Sequence, residues 1–163
     1  MDLTSRIERA FAHRQKPKVV VVLHGRADGD DEDALWFADR DWREISSKNW
    51  NDHYSACFRF TPEAYRYYLP SILSHVARNP EAALLAADAL LGILDRSPNI
   101  DWWDQFLLDR LFGLKDEEYD AIKDWLLMLS GRRNFNEDTL TRAFETVDLL
   151  QRETEKVGRP AQP

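Results

Sequence analysis

The residues best suited to chemistry lie far apart in this 163-residue sequence. The single cysteine, Cys57, needs a neighbouring base to act as a nucleophile, and no local spacing brings a histidine beside it. A glycine-rich phosphate loop, an HExxH zinc motif and a Gly-x-Ser-x-Gly elbow are all missing. We therefore name no catalytic residue, no metal ligand and no cofactor. The four histidines also lack metal-ligand spacing: His13, His24, His53 and His75.

An acidic run at 28–33 has the alternating carboxylates of a calcium loop. Two positions argue against calcium. Asp33 stands where the sharp turn of an EF-hand needs glycine, and Asp39 replaces the bidentate glutamate that closes such a loop. We interpret the run as a solvated turn whose acids cap the following helix.

One helix start carries several signals at once. Thr61 is a favourable N-cap, Pro62 suits the first helical position, and Glu63 interacts well with the helix dipole. Pro70 lies inside the same pattern, where an interior proline costs roughly 3 kcal/mol, so we predict a kink. The predicted inward face is Tyr65, Tyr68, Leu69, Ile72, Leu73 and Val76, and the predicted opposite face is Tyr67, Ser71, Ser74 and Arg78.

The kink is where ligand-binding side chains are predicted to meet. In this hypothesis Arg66 holds an anion and Tyr67 positions it, with Trp42 and His75 completing the lining. The alternative is a bent helix that wraps a core and binds nothing. The sequence leaves both open.

The whole pattern predicts a mainly α fold, an irregular single-domain bundle of about six or seven helices. A segment at 81–95 is apolar almost all round, so we expect it to be the central helix. At most one short strand is expected, near 19–23, as a buried arm, paired with a short segment, or added to a partner's sheet. The predicted domain spans 1–157, and a flexible tail spans 158–163.

Two adjacent tryptophans begin a predicted helix at 101–112. Trp102 and Trp103 point about 100° apart on a helix, so both cannot lie at the centre of one face. One indole is therefore expected to be exposed for a partner, or the helix lies between two packing surfaces. A further helix is predicted at 116–130, and its predicted inward residues are Tyr119, Ile122, Trp125, Leu126 and Leu129. The last predicted helix is capped by Asn136, and its predicted core-facing residues are Leu140, Ala143, Phe144, Val147 and Leu150.

Two phrases of the sequence, WREI at 42–45 and TPEAYRYYLP at 61–70, resemble an uncharacterised bacterial family of small domains. That family carries a Trp-x-x-Ile element before a phrase close to TPEAxRYYLP. Weaker matches are the Ile-x-x-Ala-Phe phrase at 7–11 and a helix at 114–122, where Lys115 replaces the usual Ser or Thr cap. The family has no assigned activity, so the resemblance implies a fold over roughly residues 7 to 130 and no mechanism.

Composition narrows the classes of partner. Twenty-nine acidic against 22 basic residues give a net charge of −7, which argues against nucleic acid and suits a basic protein partner. The start lacks the apolar core of a signal peptide, and no apolar run is long enough to span a membrane. We expect a soluble cytoplasmic protein, with a homodimer left open.

Two functions from different classes remain. The favoured hypothesis is a non-catalytic domain that binds another protein, such as an immunity- or antitoxin-like partner of a basic protein, because reaction motifs are missing and aromatic residues are dense. The alternative is an enzyme or small-ligand binder with its pocket at the Pro70 kink. The candidate binding residues are Trp42, Arg66, Tyr67, His75 and Trp102.

Overall fold

The computed structural model describes residues 1–158, and eight α-helices account for most of them. The first four are α1 (Leu3–Phe11), α2 (Gly29–Trp36), α3 (Ser47–Asp52) and α4 (Pro62–Arg78). The other four are α5 (Leu85–Leu94), α6 (Gln105–Leu111), α7 (Asp116–Leu129) and α8 (Glu137–Gly158). Short 3-10 turns lie at Trp42–Glu44, Tyr54–Phe58 and Ile100–Trp102. Since these described residues form helices and no sheet, the mainly α class is confirmed.

The contacts within the chain divide it into two compact units, Met1–Leu90 and Leu91–Pro163. The division falls inside α5. A single domain over 1–157 therefore stays a prediction. Gly158, the first residue of the predicted tail, is the last residue of α8, and 159–163 lie outside the described residues.

Helix α4 is the best-buried element of the first unit. It starts where the sequence predicts, because the Thr61 hydroxyl accepts the Ala64 N–H at 3.2 Å and Pro62 occupies the first turn. The helix continues through Pro70 to Arg78. Helix α1 and the turn Trp42–Glu44 both pack against it.

The predicted polar face of α4 is wrong at three positions. Tyr67, Ser71 and Ser74 are buried like the apolar residues, and only Arg78 is exposed as expected. The cause is a tertiary contact, since the segment before α4 covers this face. The Trp50 indole N–H of α3 donates to the Ser71 hydroxyl at 2.9 Å. Serine is small enough to admit that close approach.

The apolar segment at 19–23 forms no strand within the described residues. Val21 makes a single antiparallel bridge to Phe60, and the Thr61 N–H donates to the Val20 carbonyl at 2.9 Å. Of the three alternatives, pairing with a short segment is the one observed. The bridge ties this segment to the start of α4.

Helix α5 begins four residues later than predicted. Asn79 ends α4, because its N–H donates to the His75 carbonyl at 3.1 Å, and so it does not start the next helix. The side chain of Asn51 then accepts the Leu85 N–H at 3.0 Å, capping α5 from α3. Six of its residues are buried, namely Ala86, Ala87, Leu90, Leu91, Ile93 and Leu94, whereas Leu85 is exposed. The central place of this helix in the bundle stays a prediction.

In the second unit, α7 and α8 pack against each other. Asn136 caps α8 as predicted, accepting the Thr139 N–H at 3.1 Å. The Tyr119 hydroxyl of α7 donates to the Leu111 carbonyl at 2.6 Å and lies 2.9 Å from the Thr154 hydroxyl of α8. All five predicted inward residues of α7 are buried, namely Tyr119, Ile122, Trp125, Leu126 and Leu129.

Candidate functional site

A cleft of about 80 Å³ opens beside α4 in the first unit. Its walls come from α1, from the Trp42–Glu44 turn and from α4, so three separate segments build it. The lining residues are Glu8, Trp42, Arg43, Ser71, Ser74, His75 and Arg78.

His75 forms one wall and holds another in place. Its Nε2 lies 2.6 Å from the Ile45 carbonyl, and its Nδ1 lies 3.2 Å from the Ser47 hydroxyl. Because a carbonyl only accepts, Nε2 carries the proton, and in the neutral ring Nδ1 accepts from Ser47. Both ring nitrogens are thus used to fix the segment that carries Trp42 against α4.

Two polar atoms of the cleft lining are buried and unsatisfied. The Trp42 side chain is 2% exposed and Ser74 is 1% exposed. Within the described residues, neither Trp42 Nε1 nor Ser74 Oγ has a hydrogen-bond partner. A buried donor left unpaired costs about 1–3 kcal/mol. Two residues that line one small cleft therefore each carry a buried polar group whose hydrogen bond is unmade.

Two guanidinium groups also border the cleft. Arg43 stacks over the Trp42 ring at 4.4 Å and lies 3.4 Å from the Asp41 carboxylate. Arg78 of α4 pairs with Glu8 of α1 at 3.1 Å. The four charged side chains are between 36% and 53% exposed, so these ion pairs contribute little stability.

The structure brings together only part of the predicted kink site. Trp42 and His75 line the cleft. Tyr67 is buried behind it, where burial raises the pKa of its hydroxyl and the Trp42 backbone hydrogen-bonds to it. Arg66 is half-buried and does not line the cleft.

Five cleft residues are not among the binding residues predicted from the sequence, namely Glu8, Arg43, Ser71, Ser74 and Arg78. Helical spacing relates three of them. Ser74 and Arg78 follow Ser71 at three- and seven-residue steps, which places all three on one side of α4.

Cys57 is not available as a nucleophile. The thiol is 1% exposed, and burial raises its pKa to about 12. His53 contacts other residues, with Nδ1 2.8 Å from Asp33 and its ring stacked on Trp36. Ser55 donates to the same Asp33 carboxylate, so histidine does not activate this serine.

The acidic run at 28–33 acts as the cap that the sequence indicates. Asp28 accepts the Asp31 N–H at 2.9 Å, and Asp31 accepts the Asp28 N–H in return at 3.2 Å. Arg59 lies 2.9 Å from Asp28. Within residues 1–158, no three His, Cys, Asp or Glu side chains group as a metal site would require.

A larger groove of about 280 Å³ lies in the second unit, along α7 and α8. We call it the α7–α8 groove, and its lining residues are Leu126, Leu127, Ser130, Glu137, Leu140, Thr141, Phe144 and Glu145. Leu127 is 59% exposed, and Phe144, expected in the core, is only half-buried. The groove therefore presents apolar side chains to solvent.

Acidic side chains stand at this groove. The Glu137 carboxylate accepts the Gly131 N–H and, at 2.9 Å, the Ser130 hydroxyl. The Gly131 N–H and then the Ser130 hydroxyl hold the pKa of Glu137 below its usual value. Glu145 is exposed. At neutral pH the groove therefore has an apolar lining and fixed negative charge.

The structure settles which of the adjacent tryptophans is exposed. Trp102 ends a 3-10 turn and is 75% exposed, whereas Trp103 is buried and donates its indole N–H to the Ser97 carbonyl at 2.7 Å. The predicted helix at 101–112 is wrong at its start, because Asp104 is the residue that caps α6. Trp102 therefore presents its indole ring to solvent.

No helix in residues 1–158 combines the length and apolar character that crossing a membrane requires. The resemblance to the bacterial family of small domains stays a prediction. Comparisons with protein-family models, curated proteins and solved structures find no match to this chain, so its function is argued from its own geometry.

Proposed function

We propose that this protein is a non-catalytic binding module whose α7–α8 groove receives an apolar, positively charged segment of a partner protein. The observation that carries the proposal is the groove itself, about 280 Å³ with exposed apolar side chains and a fixed carboxylate. Grooves of this kind bind one face of an amphipathic helix, whose apolar residues recur every three or four positions.

The apolar lining supplies the attraction. Leu127 and Phe144 lose exposed surface when a partner side chain enters, and burial of apolar surface contributes roughly 25 cal/mol per Å². The groove is large enough for one or two aliphatic or aromatic anchors, the side chains that usually dominate an interface.

The negative charge of the chain favours a partner segment with positive charge. Glu137 and Glu145 line the groove, and the whole chain carries −7. Lysine or arginine beside the apolar anchors would meet these carboxylates, and opposite charge speeds encounter and rejects acidic competitors. A basic partner of an immunity- or antitoxin-like protein fits this chemistry, and Trp102 offers a further exposed contact.

The test is a binding measurement with a defined probe. A labelled amphipathic peptide carries leucines at three- and four-residue steps and lysines at its flanks, and a second peptide replaces every lysine with glutamate. We expect saturable binding by fluorescence anisotropy for the basic peptide only. Leu127→Glu should weaken it about tenfold or more, because a charge enters the apolar lining.

The matched control is Val157→Glu, which alters an exposed apolar residue of α8 that does not line the groove. It should bind like the parent. Equal binding of both peptides, or equal binding by Leu127→Glu and the parent, would contradict the proposal. Size-exclusion chromatography of the free chain measures its oligomeric state and so shows whether a second copy of the chain already occupies the groove.

A further inference from the structure

We propose that the cleft beside α4 binds a small carboxylate, whose oxygens accept the hydrogen bonds that Trp42 and Ser74 leave unmade. This site is independent of the α7–α8 groove, because all its lining residues belong to the unit Met1–Leu90.

The first argument is hydrogen-bond chemistry. An indole N–H only donates, so only an acceptor atom satisfies Trp42. Ser74 donates through its hydroxyl. Both side chains are at least nine-tenths buried and line the same cleft. Trp42 Nε1 and Ser74 Oγ have no hydrogen-bond partner among residues 1–158. Few buried polar groups in native proteins lack partners, and a ligand or ordered water is the usual reason.

The second argument is charge. Arg43 and Arg78 border the cleft, and a guanidinium group matches a carboxylate with two parallel hydrogen bonds. Glu8 already supplies a carboxylate to Arg78 at 3.1 Å. That contact shows that the Arg78 guanidinium binds a carboxylate, and a bound ligand would compete with Glu8 for Arg78.

The third argument is size. A water molecule needs about 10–15 Å³ of such space, so about 80 Å³ holds several waters or one ligand of a few heavy atoms. Acetate and similar short carboxylates fit that limit.

The experiment is an NMR titration that follows the Trp42 indole N–H, assigned by its loss in Trp42→Phe. Acetate is added at constant ionic strength, with chloride and inorganic phosphate as separate arms. We expect a saturable shift with acetate and none with chloride. A shift with phosphate but not acetate would overturn the carboxylate assignment, and no saturable shift with either would overturn the site.

Three variants and one control test the proposed contacts. Arg78→Gln should weaken acetate binding about tenfold, the scale of one lost hydrogen bond to a charged group. Glu8→Gln should tighten it, because the competing carboxylate is gone. Ser74→Ala should weaken binding while the free protein melts no lower than the parent. Arg40→Gln is the matched control, since Arg40 stacks on Trp36 at 4.0 Å away from the cleft lining.

Unchanged affinity in both Arg78→Gln and Glu8→Gln would overturn the proposal even if acetate shifts the indole signal. Both side chains are exposed, so the variants are expected to fold, and the spectrum of each free protein checks this.

Discussion

Arg142 of α8 holds both carboxylate oxygens of Asp95, the residue that follows α5, with one of the two hydrogen bonds at 3.1 Å. The Arg142 hydrogen bond is the main cause that lowers the Asp95 pKa below its ordinary value of 3.8. A lowered pKa means that the pair stabilises the fold above that ordinary value. The contribution is lost as the pH falls through the lowered value.

We expect Arg142→Met to reduce the free energy of unfolding by at most about 1 kcal/mol at neutral pH, because both side chains are partly exposed. The difference from the parent should vanish well below pH 3.8, where Asp95 is protonated. Urea unfolding at neutral pH and at a pH well below 3.8 measures the difference in unfolding free energy. Arg152→Met is the control, since Arg152 pairs with Asp148 and is more exposed. A pH-independent difference would contradict this account.

His75 of α4 contacts Ile45, before α3, and Ser47, the first residue of α3. We expect His75→Ala to lower the free energy of unfolding by roughly 1–3 kcal/mol, because the Ile45 carbonyl loses its donor. Hydrogen exchange should speed up in the stretch 42–47 and stay unchanged in α7. Unaltered protection of 42–47 would show that the histidine does not hold this segment.

Cys57 is expected to be inert in the folded protein. Burial raises the pKa of its thiol to about 12, so the thiol stays protonated at neutral pH. A thiol reagent should label the native chain very slowly and the urea-unfolded chain fully. Val157→Cys places a thiol at an exposed site and should react fast in the native chain. The raised pKa also predicts that stability falls as the pH rises above the ordinary thiol value of 9.0.

The Thr61 hydroxyl joins two elements, accepting the Ala64 N–H and donating to the Val19 carbonyl at 2.8 Å. Thr61→Ala should cost about 0.5–2 kcal/mol of unfolding free energy, as loss of a helix cap does. Thr61→Ser keeps the hydroxyl and should lose much less. Denaturant curves of the three proteins decide this, and equal losses for Ala and Ser would rule out the hydroxyl as the cause.

The sequence predicts what local chemistry determines. Thr61 and Pro62 mark the start of α4 because capping needs only neighbouring residues, and the inward face of α7 follows from helical spacing. The burial of Ser71 does not follow from local spacing because it depends on Trp50, more than twenty positions away. The late start of α5 likewise depends on Asn51, which belongs to another helix.

The candidate sites divide in the same way. The sequence predicts Trp42 and His75 as lining residues of a pocket at the Pro70 kink, and both line the observed cleft. Two other cleft residues, Glu8 and Arg78, pair with each other across 70 positions of sequence, which no local pattern indicates. The α7–α8 groove was missed because spacing placed Phe144 on the same face as the buried residues of α8.

The most direct test of the proposed binding groove is methyl NMR of the full chain during titration with the basic amphipathic peptide. The account predicts saturable shifts of the Leu126, Leu127 and Leu140 methyl signals, with those of Val19 and Val157 unmoved. Saturable shifts confined to methyl groups outside the α7–α8 groove, or no saturable shift at all, would contradict it.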